Sequence, residues 1–498
     1  MGAAAVSGVE QRLAALTSWH HDWSGLRVAV LGLGATGFSV ADTLVELGAQ
    51  VRVVYGKPDE DRERLLDVIG SERALAESDE AQIAELQAFA PELIVVSPGY
   101  PAKHPVVVWA QSQDVAVWGD IELGWRLRDK TDRIADWICV TGTNGKTTTT
   151  QLTAHMLLAG GLRAVPAGNI GTPLLDVLRD PLGYDAIVLE LSSFQLERVY
   201  SMSPHSSVCL NFADDHLDWH GGESGYWAAK AKVYEQTKVA CVYNRADSET
   251  LRMVEEADVV EGARAVSFGL DTPPMSGLGV VEGILVDRGF HDDRRNSALE
   301  LATVEELAER GLAAPHMVQN ILAASALARA CGVAPADIAR AVLDFVPDAH
   351  RAQQLGEWRG VWWIDDSKAT NVHAANASLQ AHRSVVWVLG GLLKGVDISD
   401  LVAGHASRLR GAVVIGADRS EVLAILAKHA PEVPVIEVLA ERGIEVMREA
   451  VRAASTIAVE GDTVLLSPAT ASMDQFENYS DRGDAFQVAY RELRESEE

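Results

Sequence analysis

Cysteine is scarce in this chain of 498 residues, with four in all: Cys139, Cys209, Cys241 and Cys331. None pair at metal-ligand spacing, so a thiolate metal site is excluded and reduced core cysteines are expected. Positive charge is short as well, giving a net charge of −28. A basic surface for a phosphate backbone is therefore missing, which argues against nucleic acid as a partner. It leaves room for a nucleotide site, which needs only a local positive pocket. No apolar run approaches the roughly 20 residues of a membrane span. The first ten residues lack the basic start and apolar stretch of a signal peptide, and Val6 breaks the myristoylation pattern after Gly2. The expectation is a soluble, cytoplasmic protein with no membrane partner.

What is present is enough apolar material for real cores, 48% of residues, in a length that suggests about three domains at roughly 150 residues each. The most informative stretch is Thr141-Gly142-Thr143-Asn144-Gly145-Lys146-Thr147-Thr148. It follows an apolar run ending at Val140, read as a buried strand, and precedes Thr149–Leu158, read as a helix. Strand, glycine loop, Lys-Thr and helix is an arrangement that holds nucleotide phosphates. Backbone N–H groups face the anion, Lys146 neutralises charge, and Thr147 can reach magnesium. Only two residues separate Gly142 from Gly145, and Val140 stands where the usual first glycine would be, so this is a shortened variant.

Residues 27–55 read as a βαβ unit whose turn, Gly32-Leu-Gly34-Ala35-Thr36-Gly37, fits a dinucleotide fingerprint. The ribose-holding acid expected at the end of the second strand is replaced by Tyr55-Gly56. A further strand ends in Ser97-Pro98-Gly99. In the middle of the chain, Asn169 lies in loop chemistry, and an apolar strand ends in Glu190, a place from which magnesium is ligated in NTP sites. Another strand ends in Asp214, Asp215, His216 and Asp218, and the histidine among carboxylates reads as a metal ligand. By composition alone Lys230 is a surface lysine. Residues 250–310 read as short strands and turns. A largely buried helix is expected over Met317–Ala330. Strand–helix alternation continues through Val361–Asp366, Val385–Gly391, Ala412–Gly416 and Thr463–Pro468, so the fold class is α/β with parallel sheets.

Taken together, the two glycine loops, Gly168-Asn-Ile-Gly171, Glu190-Leu-Ser-Ser-Phe-Gln-Leu196, Asp215-His216, His350-Arg351, Asp365-Asp-Ser-Lys-Ala-Thr-Asn371 and Leu466-Ser-Pro-Ala-Thr-Ala-Ser-Met-Asp-Gln-Phe476 resemble the Mur ligase family. These are ATP-dependent amide ligases of peptidoglycan precursor synthesis. The resemblance runs from about residue 27 to the C-terminus. It implies a Rossmann-like UDP-binding domain (1–118), a P-loop ATP-binding domain (119–348) and a Rossmann-like amino-acid domain (349–498), in a monomer. It implies addition of D-glutamate to UDP-N-acetylmuramoyl-L-alanine through an acyl phosphate, with closure of the third domain excluding water.

By the same resemblance, Gly34, Ala35, Thr36, Gly37, Ser97, Gly99, Asn169, Ser192 and Gln195 serve the UDP substrate. Gly142 to Thr148, Asn320, Arg351 and Asp366 serve ATP. Thr147, Glu190, His216 and a carbamylated Lys230 surround two magnesium ions. Thr370, Lys394, Ser472, Met473 and Tyr479 contact D-glutamate, and Lys146, Lys230, His216, Glu190 and Lys368 carry the chemistry. Near adenine, His316 and Asn320 keep the family pattern while Met317 replaces its first asparagine. Alternatives are a sibling ligase or folylpolyglutamate synthetase using another amino acid, a nicotinamide-dependent oxidoreductase built on Gly32–Gly37, and a non-enzymatic NTP-driven switch.

Overall fold

The computed structural model describes residues 8–393 and 395–497. Three sheets organise the chain, and they fall in two compact units. Unit one spans residues 1–307 and 318–345, and unit two spans 308–317 and 346–498.

The first sheet contains β1 (Arg27–Leu31), β2 (Gln50–Tyr55), β3 (Glu72–Leu75), β4 (Leu93–Val96) and β5 (Ala116–Gly119), in the order β3-β2-β1-β4-β5, all parallel. Its apolar runs are buried on both faces. Val28, Val30, Val53 and Val95 join one core cluster; Ala29, Leu31, Val54, Ile94 and Val96 join another. Alternate side chains of a strand point to opposite faces, so continuous apolar strands need helices on both sides. The strand order reverses between β1 and β4, which opens a crevice at their carboxyl ends.

The second sheet holds β6 (Asp136–Thr141), β7 (Ala164–Gly168), β8 (Ala186–Glu190), β9 (Ser206–Cys209), β10 (Ala240–Asn244), β11 (Arg264–Phe268), β12 (Gly277–Val281), β13 (Ile284–Asp287) and β14 (Leu299–Thr303). Their order is β14-β13-β12-β11-β10-β9-β6-β8-β7. The pairing is parallel from β7 to β12 and antiparallel from β12 to β14, so the expectation of a parallel sheet holds for its main body only. The reversal comes from the two-residue connection Glu282-Gly283, where both φ values are positive, 50° and 82°. That is the backbone a tight hairpin demands. Both sheets of unit one share an apolar cluster that runs through Trp118, Ile121 and Trp125 to Trp137, where Trp125 and Trp137 meet edge-on at 5.1 Å.

Unit two is built on β15 (Gln353–Trp358), β16 (Val361–Asp365), β17 (Val385–Gly390), β18 (Leu409–Ile415), β19 (Val435–Glu437) and β20 (Thr463–Leu466). The order is β15-β16-β20-β17-β18-β19, parallel except for the β15–β16 hairpin turned at Arg359-Gly360. Along β17, Val386 and Val388 pack against the helices Ile444–Ile457 and Tyr479–Glu497. Val385, Trp387 and Leu389 pack on the opposite side. Among the described residues no helix is long and apolar enough to cross a membrane.

Candidate functional site

Strand register gathers the first group of residues. Val140 lies opposite Glu190 and Thr141 opposite Cys209, so β6, β8 and β9 end on one sheet edge. The glycine loop leaves β6 there and feeds the helix Lys146–Ala159, whose N-cap is Gly145 at φ 82°. A β-carbon on Gly145 would stand 2.4 Å from Asn320 Oδ1, so both conformation and space require glycine. Asn211 braces the loop from both sides. Its Oδ1 accepts from Asn144 N at 2.8 Å and its Nδ2 donates to Asn144 O at 3.1 Å. Thr143 Oγ1 donates to Ala213 O at 3.1 Å and lies 3.2 Å from Tyr226 Oη. The Lys146 ammonium donates to Gly142 O and Thr143 O, each at 2.9 Å, which holds its charge over the loop. Thr147 is half-buried and Thr148 buried. Sequence reading passed over Asn211 and Tyr226; the signal for Asn211 was its place just beyond β9, beside the loop.

Glu190 is buried. Asn169 Nδ2 donates to its Oε1 at 2.9 Å, while Oε2 has no hydrogen-bond partner within the chain. A carboxylate oxygen buried in that state is costly unless a cation answers it, and a hard oxygen donor suits magnesium. Lys230, by composition a surface residue, is only 2% exposed. Its Nζ sits 4.7 Å from the centre of the Tyr226 ring. Burial, then the charge of Lys146, pulls its pKa down to about 7.

His216 caps the short helix Leu217–His220 with φ 52°, a strained conformation for a non-glycine residue. Its Nε2 lies 3.5 Å from Asp215 Oδ2 and its ring 4.8 Å from that of Phe194. Loss of solvent, with Lys146, Lys230 and His220 adding to it against Asp215, lowers its pKa. Lys146, Lys230 and His216 therefore feel one another's charge. Among the described residues no three His, Cys, Asp or Glu side chains gather as a metal cluster; Glu190 and His216 are the only members of those types in the expected ligand set.

The crevice of the first sheet carries the other glycine loop. Gly32, at φ 99°, has Ser97 Oγ where a side chain would go, and a β-carbon on Gly37 would lie 2.0 Å from Gly32 O. Gly34 precedes the helix Ala35–Glu46, so the first-turn N–H groups of Ala35, Thr36 and Gly37 open at the crevice beside Ser97. Nothing stands within 4 Å of a β-carbon on Gly34 or Gly99. Ser192 and Gln195 form a capping box on the helix Ser193–Leu196. Gln195 Nε2 also donates to Asp120 Oδ2 at 3.2 Å, and burial pushes Asp120 up to about 6.

In unit two, Arg351, His316 and Met317 line one cavity of about 250 Å³, together with Arg310, Val346 and Gln354. Asp366 accepts from Ala352 N at 3.0 Å, and burial pushes it up to about 7. The Lys368 ammonium lies 3.8 Å from the centre of the Tyr479 ring. Thr370 is half-buried, Ser472 buried and Met473 exposed. Lys394 lies outside the described residues. Arg482, fully buried, donates to Ser367 Oγ at 3.0 Å, Ser367 O at 2.8 Å and Thr470 O at 3.3 Å, tying the Asp-Ser-Lys loop to the Ser-Pro-Ala-Thr loop. Burial lowers its pKa to about 10. A single arginine in the sequence gave no sign of this role.

His350 Nδ1 meets Asp365 Oδ2 at 2.7 Å, both buried, with Gln487 Nε2 donating to the same oxygen at 2.9 Å. Asp365 raises the His350 pKa above its ordinary 6.5. The stability this pair contributes is fully present below that ordinary value and is lost as pH rises through the raised one. Asp365→Asn is expected to cost about 3 kcal/mol in urea unfolding at pH 6, and visibly less at pH 9. A cost equal at both pH values would contradict the pairing.

Comparison with known proteins follows the same lines. The family model of the MurD-like N-terminal domain matches residues 26–119, the Mur ligase middle domain 140–328, and the Mur ligase glutamate ligase domain 350–470. A UDP-N-acetylmuramoylalanine–D-glutamate ligase of Leifsonia xyli is 61% identical over 97% of this chain and 96% of its own. The enzyme of that name from Streptomyces coelicolor is 49% identical over 95% of this chain and 99% of its own. Among solved structures, the UDP-N-acetylmuramate-alanine ligase of Thermotoga maritima has a TM-score of 0.53 at 20% identity, covering 95% of this chain and 100% of its own. A MurF ligase from the same organism, solved with ADP, has 0.53 at 16%, covering 97% and 99%. These two share the three-domain fold. The three family models together span most of the chain, the relatives match it over nearly their full length, and the chain belongs to the Mur ligase family.

Proposed function

We propose that the protein joins D-glutamate to UDP-N-acetylmuramoyl-L-alanine at the expense of ATP. One observation carries the reading: a buried, near-neutral Lys230 stands in electrostatic reach of the phosphate-loop Lys146 and of His216. The choice of D-glutamate is supported by the activity in the names of the full-length relatives.

The substrate's alanyl carboxylate attacks the γ-phosphorus of ATP, the bond to the β–γ bridging oxygen breaks, and ADP leaves. The amine of D-glutamate then attacks the acyl carbon, loses a proton, and phosphate departs as the amide forms. Lys146 and the N–H groups of Gly145 to Thr148 hold and neutralise the phosphates. Gly34 to Gly37 present N–H groups to the pyrophosphate of the nucleotide sugar. Lys230, about half of it in the amine form at neutral pH, has a lone pair for CO2; an N–C bond forms, a proton leaves, and the side chain becomes a carbamate whose single negative charge is shared by two oxygens. Those oxygens, with Glu190, Thr147 and His216, would hold magnesium. When bound, magnesium offsets charge between the reacting anions. His216, its pKa lowered, keeps a free nitrogen lone pair, which ligation and proton acceptance both need. In the second unit, Thr370, Ser472, Met473 and Tyr479 serve the amino acid, while Asp366 and Lys368 face the nucleotide and its phosphates. The enzyme acts as a cytoplasmic monomer.

Phosphate release from ATP, measured with the UDP-sugar substrate and a panel of amino acids, tests this. D-glutamate should give the highest rate. L-alanine or a diamino acid outperforming it would overturn the choice, and hydrolysis independent of amino acid would favour a switch.

A further inference from the structure

The first-sheet crevice lacks the acid that normally reads the nucleoside at the end of β2, since Tyr55-Gly56 stands there and Tyr55 is buried. Another side chain reaches the same place from the opposite strand. Tyr100 follows Gly99 on the loop after β4. A β-carbon on Gly32, at the end of β1, would come within 4.0 Å of the Tyr100 ring. Its hydroxyl extends further, to Gln82 Oε1 at 3.2 Å. Gln82 is buried and its Nε2 donates to Ala76 O at 3.2 Å, just beyond β3. That bond fixes the amide: Oε1 is the acceptor and the phenol the donor. A β-carbon on Gly56 would in turn lie 3.5 Å from Gln82 Nε2. The ring thus bridges the switch point, from β4 across β1 toward the ends of β2 and β3.

The residue is held there from two further directions. His104 packs against the ring with centres 4.7 Å apart, and Arg198 Nη2 donates to the Tyr100 backbone carbonyl at 2.6 Å, fixing the main chain that carries it. It remains half-buried. In crevices of this kind the pyrophosphate takes the helix N-terminus and the nucleoside lies on the β2 side. A planar ring fixed on that side offers a stacking face to a planar base.

We propose that Tyr100 is the base-recognition residue of this chain, stacking on the uracil of the nucleotide sugar, with Gln82 as the residue that positions it. The inference rests on the proposed function, because only a uridine nucleotide puts uracil in this crevice.

Binding of UDP and of 5,6-dihydro-UDP, whose base is no longer planar, tests it by titration calorimetry on the full chain. Wild-type protein should bind UDP about tenfold tighter than the dihydro analogue. Tyr100→Ala should lose about tenfold for UDP and bind the two alike. Tyr100→Phe should keep most of the preference, and Gln82→Leu should erode it. ATP affinity should stay at the wild-type value in all of them, which reports the fold. Equal binding of both nucleotides by wild-type protein, or a preference that survives in Tyr100→Ala, would overturn the inference. A wild-type protein that binds no UDP would sink the proposed function itself.

Discussion

Replacing Lys230 by alanine is expected to lower turnover on the order of a thousandfold, with partial recovery when formate or acetate is added. On the proposed carbamate, several kcal/mol of charge stabilisation would pass through the anion at this position. The expectation rests on where the side chain lies. An ammonium 2% exposed, with burial and then the charge of Lys146 working against it and an aromatic ring 4.7 Å away, loses most of its usual preference for the charged form. Held near pKa 7, it is half amine at neutral pH and open to CO2. The variant would leave room for a small carboxylate, which would supply the oxygens of the proposed carbamate without the lysine. Steady-state rates with and without formate measure this. Full activity in Lys230→Ala would contradict the role, and so would a loss that no carboxylate relieves while ATP binding stays normal.

Lys146→Ala is expected to fall as far, and no carboxylate should rescue it. Lys146 Nζ is pinned between two loop carbonyls at 2.9 Å, so its position is set by the backbone of Gly142 and Thr143. Charge developing on the transferred phosphoryl group loses its fixed counter-charge in the variant. The loop itself should persist, since Asn211 and Thr143 brace it independently. Circular dichroism and melting should therefore remain close to wild type while kcat and kcat/KM for ATP collapse together. A variant that retains even a tenth of the rate would show that the phosphates are neutralised elsewhere.

The two expectations differ in what the sequence could disclose. Lys146 is legible because glycine spacing, a preceding apolar strand and a following helix are local signals. Glu190 is legible because a carboxylate after four apolar residues marks a strand end. Lys230 is not: Tyr-Trp-Ala-Ala-Lys has the composition of a surface helix, and burial comes from elements distant in sequence. The resemblance to the family, not periodicity, singled it out. Arg482 and Asn211 were missed for a related reason. Each acts by hydrogen bonding to backbone groups of another loop, and no spacing rule encodes a partner 115 residues away, as Ser367 is from Arg482.

The fold shows the same division. Parallel strands and their helices follow from apolar runs between turns. The antiparallel edges at Glu282-Gly283 and Arg359-Gly360 were passed over, because the first residue of each turn is not one that favours a positive φ.

The most direct test follows the oxygen. With 18O in the alanyl carboxylate of the UDP-sugar substrate, reaction with ATP, magnesium and D-glutamate should release phosphate carrying one 18O atom, in step with a new amide between alanine and glutamate. An amide formed with wholly unlabelled phosphate, or labelled phosphate without any amide, would contradict the account.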